Sequence, residues 1–288
     1  MNVLSLFDGM SCGRIALERA GIDVTSYTAS EIDKHAISVS DANWCDVRQV
    51  GDVTKWREWD IDWPSIDLLI GGSPCQGFSF AGKQLAFNDP RSALFFEFVN
   101  IRNHINKERS MAGLGEVKFL LENVKMKKQF NLVISEHIGA EPVEINSSLV
   151  SATERPRLYW SNYPIQQPTF VDGIWFADVV GDDAIPMPDS WLKWWKKNGE
   201  FQTKKAYSKI NSGSDKGVCM TARQYASWNG NFVVVDGKIC KPNKKALARL
   251  CGAPDDYFDV TTQRQAELMV GNGWTVDIIA HLLKELKK

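Results

Sequence analysis

Four short apolar runs, each stopped by a polar or glycine-bearing cluster, constrain this chain more than any other feature. Residues 2–7 stop at Asp8-Gly9, Val24 to Ala29 at Glu31, Ile66 to Ile70 at Gly71-Gly72, and Lys118 to Leu121 at Glu122-Asn123. The continuous run from Ile66 to Ile70 fits a strand buried on both faces. Between the runs, residues 14–20 (closed by Gly21), Asp33 to Val39, and 92–105 carry a helical period. Strand–turn–helix alternation of this kind predicts a parallel sheet with helices on both faces. In such sheets ligands gather at the carboxyl ends of the strands, so four clusters remote in sequence are expected on one rim.

The texture changes after about residue 165. Pro164, Pro168, Pro186 and Pro188 punctuate the chain, tryptophans stand at 175, 191, 194, 195 and 228, and helical alternation is lost until about residue 245. This reads as an insert or small lobe with large side chains as its core. Helical period returns at 243–251 and 263–286. A length of 288 residues suits one large domain, or a large lobe carrying a smaller one. With 44% hydrophobic and 24% charged residues the composition is that of a globular chain rather than a disordered one. No apolar run is long enough to span a bilayer, and Met1 to Leu6 lacks the basic start of a signal peptide. The six cysteines, at 12, 45, 75, 219, 240 and 251, show no CxxC spacing and no histidine in metal-ligand register. Neither a disulfide framework nor a metal site is expected, and a reducing, intracellular setting fits. The net charge of −1 gives nucleic-acid binding no support. DNA contacts would need local patches such as Lys193, Lys196 and Lys197, Lys204 and Lys205, or Lys241, Lys244 and Lys245, each of which alone reads as solvated surface.

Five motifs carry chemistry. Phe7-Asp8-Gly9-Met10-Ser11-Cys12-Gly13 is a glycine-containing turn between the first strand and first helix, where backbone amides can approach a ligand. Glu31 ends the next strand about 20 residues on, the spacing at which a carboxylate meets a ribose in nucleotide-binding folds. Gly71 to Ser79 places Cys75 just past a buried strand between glycines and a proline, unlike the small buried hydrophobe that free cysteine usually is. Leu121-Glu122-Asn123-Val124 puts a carboxylate after a hydrophobic strand, with an N-cap as the bland alternative. Arg155 and Arg157, at i and i+2 of an extended segment, point the same way and could hold phosphate or a base edge. Gly271-Asn272-Gly273-Trp274 precedes the last helix.

Each motif is modest alone, but their order resembles that of the DNA (cytosine-5) methyltransferase family. That order is Pro74-Cys75-Gln76 after a strand, Glu122-Asn123-Val124, paired arginines, a variable insert, and Gly271-Asn272 before a last helix. The resemblance covers nearly the whole chain except the insert. It extends from Cys75 through Phe78-Ser79, Gly82-Lys83-Gln84, Asp89, Arg91 and Leu94-Phe95-Phe96, much as in bacterial members. The opening Leu4 to Gly9 and the Arg155 to Trp160 stretch look more like animal de novo members. Ser5 departs from a frequent aspartate, Thr153 from a frequent glutamine, and Asp8, Ser11 and Cys12 from small or glycine residues.

The resemblance implies a Rossmann-like, doubly wound, mostly parallel α/β sheet with a smaller target-recognition lobe. It divides the chain into a catalytic domain, 1–165 plus 262–288, and a small domain, 166–261. The implied cofactor is S-adenosylmethionine, with S-adenosylhomocysteine as product. Its site would comprise Phe7, Gly9, Met10, Cys12, Glu31, Ile32, Asp52, Val53, Pro74, Leu94, Asn272 and Trp274. The implied chemistry has Cys75 as nucleophile, Glu122 on the N3/N4 edge of a flipped-out cytosine, and Arg157 and Arg155 on O2 and nearby backbone. Gln76, Ser79, Arg91, Arg223 and Gln224 are the expected DNA contacts. The implied partner is duplex DNA, with no membrane and no metal, acted on by a monomer in the cytoplasm of a bacterial or phage-infected cell, within or outside a restriction-modification pair. A tRNA cytosine-5 methyltransferase of the same fold, a silent DNA-binding homologue and an unrelated α/β thiol enzyme are the alternatives.

Overall fold

The computed structural model describes residues 1–74, 90–190, 196–197, 200–201, 204–205, 208–224 and 230–287, with the side chains of 90–93, 196–197, 200–201 and 204–205 outside that description. The chain divides into two compact units, one of Met1–Ile145, Pro156–Gln167 and Ala280–Lys288, the other of Asn146–Arg155 and Pro168–Ile279.

The first unit is built on a seven-stranded sheet. Its strands are β1 (Asn2–Leu6), β2 (Ser26–Ser30), β3 (Val47–Gln49), β4 (Leu68–Gly72), β5 (Lys118–Val124), β6 (Val143–Asn146) and β7 (Pro156–Ser161), in the order β3-β2-β1-β4-β5-β7-β6. β3, β2, β1, β4 and β5 run parallel, and β7 lies antiparallel to β5. The expected alternation is therefore present, and the chain reverses direction about β1, the switch point at which such sheets bind ligands. Four of the five residues of β1 and of β2 are buried, as central strands covered on both faces require. Helices α1 (Cys12–Arg19) and α2 (Lys34–Asn43) connect the first three strands. Helices α3 (Pro90–Met111) and α4 (Lys128–Ile138) bury Phe95, Phe98, Ile101, Ile105, Phe130, Ile134 and Ile138 in a core shared with Leu4, Leu6, Leu69, Phe119, Leu121 and Trp160. Gly71 is required there, since a Cβ would lie 2.9 Å from the Leu6 carbonyl and 3.1 Å from the Phe98 ring.

β5 runs on past the expected stop at Glu122 to Val124, because β7 pairs with it as far as Val124–Arg157. The second unit holds a five-stranded sheet of order β11-β12-β13-β14-β8, formed by β8 (Ala184–Pro186), β11 (Lys204–Lys205), β12 (Ser208–Ile210), β13 (Gly230–Val235) and β14 (Lys238–Pro242). A two-stranded piece joins β9 (Lys196–Lys197) to β10 (Glu200–Phe201). β13 and β14 form a hairpin through Asp236 (φ 48°) and Gly237 (φ 73°), the paired left-handed conformations that two-residue turns demand. Besides the short α5 (Phe176–Val180), this unit carries α6 (Lys244–Cys251) and α7 (Gln263–Asn272), the latter opened by a Thr262–Gln265 capping box. The helical period expected over 263–286 is interrupted at Gly273, and α8 (Val276–Lys284) is a separate helix.

Candidate active site

The turn after β1 is unusual in its backbone. Phe7, Gly9 and Ser11 all adopt left-handed conformations (φ 57°, 61° and 63°). Glycine does so freely, whereas an L side chain is disfavoured by about 1–2 kcal/mol. Strain of this kind persists only where surrounding contacts over-determine it. Here Asp8 supplies them. Its buried carboxylate accepts hydrogen bonds from Ser5 Oγ (2.5 Å) and Tyr27 Oη (2.6 Å) on one oxygen and Ser11 Oγ (2.6 Å) on the other. Ser11 Oγ also contacts Ser40 Oγ of α2 at 2.6 Å. Burial pushes the Asp8 carboxyl up to about 6, the three hydroxyls acting against that rise and the nearby Glu31 charge adding to it.

Glu31, at the end of β2, is aimed by backbone donors. Gly9 N–H donates to Oε2 at 2.7 Å, and the N–H groups of Ile32 and Asp33 donate to Oε1 at 2.7 and 2.8 Å. Next to it Ile32 is 76% exposed, a large apolar side chain facing solvent. Ser30 Oγ donates to the Gly51 carbonyl at 2.6 Å, fastening the loop after β3 to β2. In that loop Asp52 accepts from Thr54 N–H and Oγ1, both at 2.9 Å, and these bonds, the backbone one foremost, hold its carboxyl below the usual range. Met10, Cys12 and Val53 are buried, while Phe7 and Leu94 are part-buried against the core and Pro74 is part-buried. The expected clusters after β1 and β2 thus share one rim, joined by the Gly9–Glu31 bond.

A second group lies along β5 and β7. Arg157 Nε donates to Glu122 Oε1 at 2.8 Å, with both side chains nearly buried. Glu122 stands level with Gly72 of β4, three residues before Cys75 in the chain. Asn123, for which a helix cap was the bland alternative, is a buried strand residue whose Nδ2 donates to Ser73 Oγ (3.0 Å) and to the Ser73 carbonyl (3.3 Å). It ties β5 to the segment leading into Pro74. Cys75, Gln76 and Ser79 lie outside the described residues, as does the side chain of Arg91.

In the second unit Arg155 is buried. Its Nη1 donates to the carbonyls of Met220 and Gly271, both at 3.2 Å, and its Nη2 to that of Asn272 at 3.5 Å. The two arginines read as a pair therefore serve different units. Gln224 is buried, its Nε2 donating to the Glu267 carbonyl at 2.8 Å, whereas the neighbouring Arg223 is exposed. Asn272 is exposed at the end of α7, and Trp274 is part-buried. Among the described residues no cluster of His, Cys, Asp or Glu could hold a metal ion, and no helix is long and apolar enough to cross a membrane.

Sequence reasoning passed over Asp8 with its hydroxyl cage and the Asn123 strut. A signal existed for the first: Ser5 interrupts the run from Val3 to Phe7, and a hydroxyl on a doubly covered strand needs a partner.

Comparison with known proteins places these features in one family. The family model described as C-5 cytosine-specific DNA methylase matches residues 1–136. The Type II methyltransferase M1.ScrFI of Lactococcus lactis subsp. cremoris is 32% identical across 98% of this chain and 77% of its own length. The Type II methyltransferase M.NlaX of Neisseria lactamica is 28% identical across 99% and 96%. Among solved structures, the methyltransferase EhMeth of Entamoeba histolytica aligns with a TM-score of 0.75 at 14% identity, covering 99% of this chain and 97% of that one. At that identity the likeness speaks for the fold, a methyltransferase fold of Rossmann-like type. With its parallel sheet, its strained turn after β1 and its carboxylate–guanidinium pair on β5 and β7, the chain belongs to the C-5 cytosine-specific DNA methylase family, enzymes that methylate cytosine C5 in DNA using S-adenosylmethionine.

Proposed function

We propose that Cys75 is the nucleophile of this methyltransferase and that Glu122 and Arg157 hold the target cytosine. The observation that carries the reading is the Glu122–Arg157 pair, level with Gly72 of β4, which precedes Cys75 by three residues in the sequence. The donor set of the first rim fits an adenosyl cofactor. Glu31 would take the ribose hydroxyls, the exposed Ile32 would cover one adenine face, and Asp52 would accept from the adenine amine. Phe7, Gly9, Met10, Cys12, Val53, Pro74 and Leu94 line or back that site in this reading. Bound there, S-adenosylmethionine supplies an electrophilic methyl group.

The target base, stacked inside duplex DNA, must first be flipped out, at a cost of a few kcal/mol. The Cys75 thiolate adds to C6 of the cytosine, and the electron pair of the C5–C6 double bond makes C5 nucleophilic. Glu122 binds the N3/N4 edge and Arg157 the O2, offsetting charge as it develops on the ring. After methylation at C5, loss of the C5 proton and departure of Cys75 restore the aromatic ring. Arg155, bonded to three carbonyls, organises the loop that carries Asn272. Residues 166–261 supply sequence recognition, with the exposed Arg223 as a contact, joined by Gln76, Ser79 and Arg91; Gln224, buried and bonded to the Glu267 carbonyl, serves instead to hold its own unit together. The bacterial relatives named as Type II methyltransferases support a bacterial cytoplasmic enzyme that marks a short defined sequence, as in a restriction-modification pair.

Base-resolution cytosine mapping tests the reading, with unmethylated duplex DNA and tRNA incubated separately with wild type or Cys75→Ala. Marking of duplex DNA in one sequence context by wild type alone is the expected result. Marks left by Cys75→Ala would end the assignment of the nucleophile, and marks on tRNA alone would move the substrate to RNA.

A further inference from the structure

We propose that Asp8 is a positioning residue for the cofactor: its carboxylate, gripped by Ser5, Ser11 and Tyr27, holds the β1–α1 turn in the conformation that aims Gly9 and Glu31. This rests on the cofactor reading of the rim above, but Asp8 touches no ligand in it.

The geometry has two layers. The outer one is the Gly9–Glu31 bond, which is part-buried. The inner one is Asp8, held at both main chain and side chain. Its N–H donates to the Ser30 carbonyl at 3.1 Å, and its own carbonyl accepts from Ser11 N–H at 3.2 Å. Its side chain joins three elements: β1 through Ser5, the start of α1 through Ser11, and β2 through Tyr27. An ionised carboxylate is an acceptor only, so all three hydroxyls must turn their protons toward it, and Ser40 then donates to Ser11. That pattern stabilises the left-handed Phe7 and Ser11 on either side of Gly9. A protonated Asp8 must donate from one oxygen, so one hydroxyl has to reverse and the cage loosens.

The titratable groups around Asp8 are few. From β2 come Tyr27, raised well above its ordinary range by burial, and Glu31, whose charge opposes ionisation of Asp8; Cys12 of α1 acts on the Tyr27 phenol. Loss of the ionised form on acidification through about pH 6 should therefore loosen the turn.

The test measures S-adenosylmethionine dissociation constants from pH 5 to 8 for wild type, Asp8→Asn and Tyr27→Phe, together with thermal unfolding and steady-state kinetics. Wild type should bind roughly tenfold more weakly at pH 5 than at pH 8, about the worth of one hydrogen bond. Asp8→Asn should bind roughly tenfold more weakly at pH 8, with a flat profile, a raised cofactor KM, an unchanged kcat and no loss of thermal stability. Tyr27→Phe removes one donor, so its pH profile should move upward. A wild type that binds no cofactor at any pH would overturn the cofactor reading itself. A wild type that binds, with Asp8→Asn matching it at every pH or with Tyr27→Phe leaving the profile in place, would overturn only the role of Asp8. Should Asp8→Asn fail to fold, the Tyr27→Phe profile decides.

Discussion

Two carboxylates are buried on this sheet, and they are stabilised by opposite means. In the turn after β1, Asp8 sits among three neutral hydroxyls. On β5, Glu122 faces the Arg157 guanidinium at 2.8 Å. A cage of dipoles orients a charge without cancelling it, and burial still pushes the Asp8 carboxyl up to about 6 against the three hydroxyls. A cation cancels charge but leaves each partner dependent on the other. The first arrangement should respond to pH, the second to deletion.

Breaking the second arrangement has the largest expected effect. Arg157→Ala leaves Glu122 buried without its cation, which costs roughly 3–5 kcal/mol when one partner of a buried pair is removed. Turnover should fall by about two to three orders of magnitude with it. Chemical denaturation and single-turnover methylation check both, and a near-neutral result would mean that the pair is dispensable.

The Asp8 arrangement predicts a change of opposite sign. Its folded-state carboxyl is raised from 3.8 to about 6, so the folded form binds more protons than the unfolded one between those values. Stability attributable to this group is therefore highest below about pH 4 and is lost as pH rises toward 6, staying low above. Asp8→Asn removes that cost, worth at most ~3 kcal/mol at pH 8 from a shift of about two units. The difference from wild type should vanish at pH 4. Denaturant unfolding at both pH values measures it, and a variant less stable at pH 8 would contradict the sign.

Asn123→Ala probes whether the Glu122 region depends on its neighbour. Loss of the Nδ2 bonds to Ser73, with the Ser73 groups left buried, should cost about 1–3 kcal/mol. It should also reduce methylation by slackening the segment before Cys75, and unchanged unfolding would show the strut to be idle. Smallest is Arg223→Ala. Exposed and far in sequence from both carboxylates, it should shift stability by less than about 0.5 kcal/mol. If it meets a DNA phosphate, the slope of log affinity against log salt should fall by about one, and an unchanged slope removes it from the interface.

The comparison also shows what a sequence of this kind displays. β1, β2, β4 and β5 were legible because central parallel strands carry apolar runs that stop at functional clusters. Glu31 and Glu122 stood out at strand ends for the same reason, although Glu122 proved to lie inside its strand, since its continuation depends on pairing with β7, remote in sequence. The second unit was opaque. Its strands are two to six residues long, several are lysine-rich, and they pair across separations that no local period reveals. Arg155 and Arg157 mark the limit most sharply. Their i, i+2 spacing promised a shared face, but β7 begins between them, at Pro156, and their long-range side-chain partners are 35 to 117 residues away in the chain. Asp8 was visible as an odd residue in the turn, but its cage draws on Tyr27 and, through Ser11, on Ser40, which only the fold brings near.

The central claim is that catalysis passes through a covalent bond from Cys75 to the cytosine ring. Duplex DNA carrying 5-fluorocytosine at the mapped target tests it directly, because fluorine cannot leave C5 as a proton does and the adduct cannot resolve. In the presence of S-adenosylmethionine, wild type should form a complex that survives denaturing electrophoresis, one enzyme per target, and Cys75→Ala should form none. An active wild type that leaves no such complex, or a complex retained by Cys75→Ala, would contradict the account.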